Sequence, residues 1–470
     1  MRESDWGDWH GAGGLKVKEK EFPMDTLLIW LEFAVLLACI FIGSRYGGVG
    51  LGLWGSFGVF VLTYVFGLPP TSPPIDVMLI ILAVIMAASV MEAAGGIDYL
   101  VSVAASIIQR NPKQITVVAP LVAYAFTFGA GTGHIFYPLL PIIYETAHDN
   151  GIRPERPIAV STIASQQAIT ASPVAAAMAA MIALFEPLGF GLPQIMLISV
   201  PATLAGVIVA ALVQTRVGKN LQDDPDYQRR LQAGEIDPPR VQHAEAATAA
   251  PLPPCARLSA LIFLAGVAFI VVSGFFSGLR PHFPGSNGSM EPLSMTLTIQ
   301  IVMLALSAIM LWLTKPAVDS IPRTKTAQAG LTAVIGIFGL AWLGDTFIKG
   351  NEAVIIGSLS ALVKAYPITF ILGVFFTSVL LFSQAATTRT MMPLGISLGI
   401  PAQYLTAAWP AVNGYFFLPT YGTLIAAINF DRSGTTGIGK YILNHSFMLP
   451  GLIATITAVV AGLVIATIVF

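Results

Sequence analysis

Ser383-Gln-Ala-Ala-Thr-Thr-Arg389 is a polar stretch in an otherwise apolar part of the chain: residues 365–388 and 390–430 contain no Asp, Glu, Lys or Arg. At membrane depth such a stretch is costly unless it lines a cavity or meets a partner. A second stretch answers it, Gly129-Ala-Gly-Thr-Gly-His134, inside the uncharged run 114–144. A proline follows each at short range, Pro141 and Pro393. Two polar interruptions at matching places in two halves of a chain point to broken membrane segments that build a site at mid-depth.

The composition around them agrees. The chain has 470 residues, of which 55% are apolar and only 10% charged, where a soluble domain has about 25% charged residues. This is an all-α polytopic membrane protein. Cys39 and Cys255 stand far apart with no CxxC spacing, so they read as two packed thiols, with neither a metal site nor a disulfide framework. No nucleophile–base or metal-ligand spacing appears, so neither an enzyme nor a resident cofactor is expected. A nucleic-acid partner is not expected either.

A helix needs about 20 mostly apolar residues to cross a bilayer. Residues 25–42, 49–66, 75–94, 157–185 and 193–215 qualify in the first half; 258–276, 292–313, 327–347, 403–429 and 445–470 qualify in the second. Between the third and fourth span of each half lie a short amphipathic segment (97–108, then 353–363) and an apolar segment interrupted by a polar tip (115–143, then 368–398). The latter are read as re-entrant helical hairpins. Pro112, Pro141 and Pro173 recur at nearly one offset as Pro367, Pro393 and Pro419, which argues for an internal repeat. The division is therefore a polar extension at 1–23, native or not and without the pattern of a signal peptide; a first membrane repeat at 24–217; a linker at 218–256; and a second repeat at 257–470.

Five crossings per half require the second repeat to be inverted. The positive-inside rule tests this independently. With the N-terminus outside, the inner loops hold most of the Lys and Arg, including Arg153, Arg156, Arg229, Arg230, Arg323 and Lys325, and the outer connections hold Arg280, Lys349 and Lys364. Both termini are then expected in the periplasm and the linker in the cytoplasm. The linker is rich in Pro, Ala and balanced charge, and reads as partly disordered.

The candidate site residues follow from the cost of polar groups in the membrane. The fourth span carries Gln166, Thr170, Ser172 and Pro173, and the proline frees a carbonyl and breaks the helix. The corresponding span carries Asn413, Pro419, Thr420 and Thr423. Together with the tips Gly131, Thr132, Gly133, His134 and Ser383, Gln384, Thr387, Thr388, Arg389, these form one expected site. Broken helices present N-terminal ends to anions and free carbonyls to cations. Arg389 favours an anionic, carboxylate-bearing substrate, or pairs with an acid such as Glu92 or Asp345. His134 either carries a proton or bonds the hairpin backbone. A cation/proton exchanger is the alternative class, but it would want a buried Asp or Glu in the broken helices, where none occurs.

From Met24 onward the sequence resembles the anaerobic C4-dicarboxylate transporter (Dcu) family. The matching stretches include Pro73-Pro-Ile-Asp-Val-Met-Leu79, Gly131-Thr-Gly-His134, Arg153-Pro-Glu-Arg-Pro157, Ser383-Gln-Ala-Ala386, Asn429-Phe-Asp-Arg-Ser-Gly-Thr-Thr436 and Asn444-His-Ser-Phe-Met-Leu-Pro-Gly451. Thr387-Thr-Arg389, Ala411-Val-Asn-Gly414 and Pro419-Thr-Tyr-Gly-Thr423 are similar to the DcuA type; the DcuB type lacks an arginine at the place of Arg389. The resemblance implies exchange or cation-coupled uptake of aspartate, fumarate, malate and succinate across the bacterial inner membrane, with H+ or Na+ as coupling ion. It also implies kinship with ion-transporter-superfamily folds, in which two hairpins and two broken helices move as an elevator domain. Small dicarboxylate anions and membrane lipid are the expected partners. The resemblance leaves open a homo-oligomer and a role as co-sensor with a membrane sensor kinase.

Overall fold

Apolar composition with little charge leaves the backbone to satisfy its own hydrogen bonds, and in this chain it does so as helix. The computed structural model describes residues 22–46, 49–73, 75–236, 238–239, 252–284, 289–352, 354, 366–381, 383–418, 421–439, 441 and 443–470. The amphipathic segment expected at 353–363 lies, but for one residue, outside them, as do residues 1–21 of the extension expected at 1–23.

The first half runs α1 (Phe22–Tyr46), α2 (Val49–Tyr64), α3 (Ile75–Ala93) and the amphipathic α4 (Gly96–Arg110), then α5 (Ile115–Ala130), α6 (Leu139–Asp149), α7 (Glu155–Ile169), α8 (Ala176–Phe185) and α9 (Leu192–Gln214). The short α10 (Pro225–Gln232) follows. The second half runs α11 (Ala256–Phe275), a two-stranded β-hairpin (His282–Pro284 with Met290–Pro292), α12 (Met295–Thr314) and α13 (Lys325–Gly350), then α14 (Ile368–Leu381), α15 (Gln384–Ser397), α16 (Ala402–Ala408), α17 (Gly422–Phe430) and α18 (Met448–Val469). Among the described residues, seven helices are long and apolar enough to cross a membrane, and four more apolar helices are shorter.

The contacts pick out two sets of helices, which meet where α13 packs on α15, α3 on α8 and α11 on α4. α2 packs on α1 and α13, α3 on α12 and α13, and α11 on α12: together they form a wall. α5 packs on α7, α14 on the 3₁₀ segment Trp409–Phe416, and α9 on α18: these form a core that carries both hairpins and both broken helices. In the wall, glycine sets the spacing. Gly52, Gly55 and Gly58 of α2 face α13, and a Cβ built on Gly52 or Gly55 would overlap the backbone of α13 around Ile335 and Gly339. Acidic residues hold helix starts together. Glu92 accepts the amides of Lys325 and Thr326 at 3.2 and 3.0 Å, and Glu186 accepts that of Met295 at 2.7 Å, where a carboxylate meets the positive end of a helix.

The first part of the expected linker is folded. Leu221, Tyr227 and Ile236 make a small apolar cluster. Tyr227 hydrogen-bonds buried His148 of α6 at 2.9 Å, Arg153 pairs with Asp224, and Arg230 donates to the carbonyl of Ser433 at 2.9 Å. This segment is therefore docked on the core, and the physical reason lies in these three contacts, which polar composition alone did not reveal. Burial opposes the charge of Asp224, but the hydrogen bond from Arg153, the amides of Tyr227 and Asp226 and the Arg153 charge outweigh it and hold its carboxyl below the usual 3.8. A carboxyl with a depressed pKa stabilises fully above its unfolded value and loses that contribution as pH falls through the folded one. Docking should therefore persist at neutral pH and weaken below pH 3.8, seen as faster amide exchange in α10. Asp224→Asn keeps a helix-capping side chain but removes the charge, and should speed exchange in α10 at neutral pH.

Candidate functional site

Both long spans expected to break do so. The first stops being helical between Ile169 and Ala176, around Ser172-Pro173. The second passes from α16 into the 3₁₀ segment Trp409–Phe416, where Asn413 departs from helical angles, and resumes at α17. Each hairpin turns against these breaks. Gly131 ends α5 with φ 70°, a region that favours glycine, and a Cβ there would stand 2.8 Å from the Val174 carbonyl oxygen. Gly133 is equally close-fitting: its Cβ would meet Gln166 Nε2 at 2.6 Å.

Buried amides tie three of these segments together. Gln384 Nε2 donates to Gln166 Oε1 at 2.9 Å and to Asn413 Oδ1 at 3.3 Å. Asn413 Nδ2 donates to Gln167 Oε1 at 3.2 Å, to the Pro410 carbonyl at 3.1 Å and to Thr170 Oγ1 at 3.5 Å. Gln167 in turn donates to Thr455 of α18 at 3.1 Å. The network holds the second hairpin tip to both broken helices without a single charge.

Beside it lies a cavity of about 310 Å³, at the small end of the roughly 300–1,000 Å³ usual for small-molecule sites. Gly131, Thr132, Gly133, Gln166, Ser383, Gln384 and Thr423 line it. Behind them, Thr170 and Asn413 belong to the amide network, and Ser172 and Pro173 form the break itself. Thr387 and Thr388 donate to the carbonyls of Ser383 and Gln384 on their own helix, and Trp409 donates to Thr388 at 2.8 Å. Pro419 and Thr420 lie outside the described residues, and so does the side chain of His134, whose backbone sits in the 3₁₀ turn Gly133–Phe136.

Arg389 is not in the lining. Its guanidinium is 3.2 Å from Asp345 of α13, both side chains being largely buried. The expected contact with a bound anion thus gives way to the other reading, a buried ion pair, because the helical turn after Gln384 carries residue 389 toward α13 and away from the tips. The cavity's described lining contains no Asp, Glu, Lys or Arg.

What it contains instead is helix ends. The first residues of α8, α15 and α17 and the 3₁₀ turn at Gly133 all reach the lining. Ser383 caps α15 by accepting the Ala386 amide at 3.2 Å, but α8 and α17 have no side-chain cap. Among the described residues, the buried hydroxyl of Thr423 has no hydrogen-bond partner. Uncapped N-termini carry partial positive charge and free N–H donors, which suits an anion.

The side of the cavity opposite the tips was not legible beforehand. It is formed by Leu51 of α2 and by Ala329, Thr332, Ala333 and Gly336 of α13; Tyr137, Tyr421, Leu381 and Ala386 are also in the lining. Ala, Gly and Thr on an apolar helix give no chemical signal; the spacing of small residues on α13 was the only trace.

Comparison with known proteins places this arrangement. The family model described as "Anaerobic c4-dicarboxylate membrane transporter" matches residues 28–470. The anaerobic C4-dicarboxylate transporter DcuB of Escherichia coli O6:H1 is 38% identical over 94% of this chain and 99% of its own length. The C4-dicarboxylate transporter DcuA of Wolinella succinogenes is 37% identical over 94% of this chain and 100% of its own. These near-equal identities do not assign the chain to one type. Among solved structures, the Alcanivorax borkumensis YdaH transporter aligns with a TM-score of 0.54 at 15% identity, over 94% of this chain and 98% of that one. Neisseria gonorrhoeae MtrF aligns with a TM-score of 0.51 at 13% identity, over 95% of each. At such identities the likeness concerns the fold alone. The sequence matches run nearly end to end, and the chain belongs to the DcuA/DcuB family of anaerobic C4-dicarboxylate membrane transporters.

Proposed function

We propose that this chain is a secondary active transporter of C4-dicarboxylate anions (aspartate, fumarate, malate and succinate) in the bacterial inner membrane, working by exchange or by uptake coupled to H+ or Na+. The observation that carries the reading is the convergence of four helix or turn N-termini on a cavity whose described lining has no charged side chain. Such a site binds a carboxylate through directed N–H and O–H groups, as broken-helix transporters do. The repeated order of three helices, a hairpin, a broken helix and a closing helix supports two inverted-topology repeats, each of five transmembrane helices plus a re-entrant hairpin. The separation of wall from core supports an elevator movement.

Counterflow of labelled aspartate or succinate in proteoliposomes, with imposed H+ or Na+ gradients, tests this directly. Saturable uptake into vesicles preloaded with unlabelled dicarboxylate is expected, and its absence would sink the reading. Orientation is tested separately. The Lys and Arg asymmetry supports an orientation with α10 in the cytoplasm and both termini in the periplasm. A single cysteine replacing Gln232 should therefore resist an impermeant thiol reagent in intact cells and react once the cells are opened.

A further inference from the structure

The cavity is not closed equally at its two ends. Along α13 it is lined by Ala329, Thr332, Ala333 and Gly336. A smaller adjoining cavity of about 120 Å³ continues past Gly330 to Thr326, at the Lys325 end of the helix. Toward the other end, Leu340 and Leu343 of α13 join Leu381 of α14 and Ala386 of α15 in one buried apolar cluster. Beyond it, about 13 Å along α13 from Gly336 at 1.5 Å per residue, Asp345 meets Arg389 of α15 at 3.2 Å. Asp76 at the start of α3 and Lys349 at the end of α13 stand within electrostatic range of the pair.

This pair joins the two groups of helices: Asp345 belongs to the wall and Arg389 to the second hairpin of the core. We infer that the Asp345–Arg389 ion pair is a latch that holds the site shut toward the outer face, and that it must part each time the site opens outward. The inference rests on the transporter reading above and takes the Lys325 end as cytoplasmic. The leucine cluster excludes water, and the ion pair beyond it fixes the second hairpin against α13. A buried pair suits this role because its partners strongly disfavour separation unless each finds water or another charge; Asp76 and Lys349 stand where opening would bring them into play.

The test uses the full-length protein with Cys39 and Cys255 replaced by serine and a reporter cysteine at Thr332 in the cavity wall. An impermeant thiol reagent is added to intact cells. Asp345→Asn and Arg389→Gln should each speed modification roughly tenfold by shifting the population toward the outward-open state, and the charge exchange Asp345→Arg with Arg389→Asp should return it toward the starting rate. A second arm survives any misfolding of the single variants. Cysteines at both positions 345 and 389, without the reporter, are bridged by a short bis-methanethiosulfonate; the bridge should stop uptake and a reductant should restore it. Unchanged modification rates in the folded variants, or undiminished uptake by the bridged protein, would overturn the latch. The accessibility arm needs no substrate, so a protein that moved no dicarboxylate would defeat the transporter reading and leave this result standing by itself.

Discussion

Gln384→Glu should lower dicarboxylate uptake by about a hundredfold or more, a far larger loss than the accompanying fall in thermal stability accounts for. The substitution is isosteric. It puts a carboxylate at the first residue of α15, where the helix end favours negative charge, which offsets part of the cost of losing two buried hydrogen bonds. The substrate has much to lose. A carboxylate about 5 Å from a bound anion costs roughly 3 kcal/mol per charge at an effective dielectric constant near 20, and about 1.4 kcal/mol is a factor of ten. The new side chain also cannot donate to Gln166 and Asn413, as Gln384 does. Uptake of labelled succinate at matched expression, with melting temperature as the control, decides it. Near-normal uptake would remove this cavity from the path of the substrate.

Replacing Gly339 by leucine should leave no stably folded protein in the membrane. A Cβ on Gly339 would overlap the carbonyl of Gly52, and one on Gly52 would overlap the carbonyl of Ile335. Ordinary overpacking costs roughly 1–3 kcal/mol because side chains give way. Here the colliding atoms are backbone on both helices, so the cost should exceed that range, and Gly339→Ala should already be destabilising. Size-exclusion chromatography of the tagged protein in mild detergent reads both variants. A monodisperse Gly339→Leu peak of normal yield would mean that α2 and α13 can separate freely.

The polar tips and the two breaks were visible because hydroxyls, amides, glycine and proline are conspicuous in apolar sequence. Gly131, Gln166, Gln384 and Thr423 were found that way, and they line the cavity. Arg389 was equally conspicuous, but its partner was undecided. A guanidinium reports that a negative charge is near, without saying whether a substrate or Asp345 supplies it. Nor did Thr387 and Thr388 declare that their hydroxyls bond back to their own helix, which is what such side chains do when nothing better is in reach. The wall side of the cavity was silent because Ala329, Ala333 and Gly336 contribute only by being small. The docked segment around Tyr227 was hidden for a related reason: composition reports that a stretch is polar, but not that Asp224, Tyr227 and Arg230 meet specific partners.

The neutral lining of the cavity has an electrical consequence. With no fixed cation in the described lining, and with Asp345 and Arg389 cancelling one another, a bound dianion brings its whole charge into the membrane field. Moving one elementary charge through 100 mV costs or releases about 2.3 kcal/mol, so carrying two negative charges inward against an inside-negative potential of that size costs nearly 5 kcal/mol. Two cations travelling with the substrate would cancel that cost, and a third would make the voltage assist uptake. Exchanging one dianion for another cancels it without any cation. One-for-one exchange by such a carrier should therefore reach the same equilibrium whatever the membrane voltage, and its coupling stoichiometry should show only when it works in one direction.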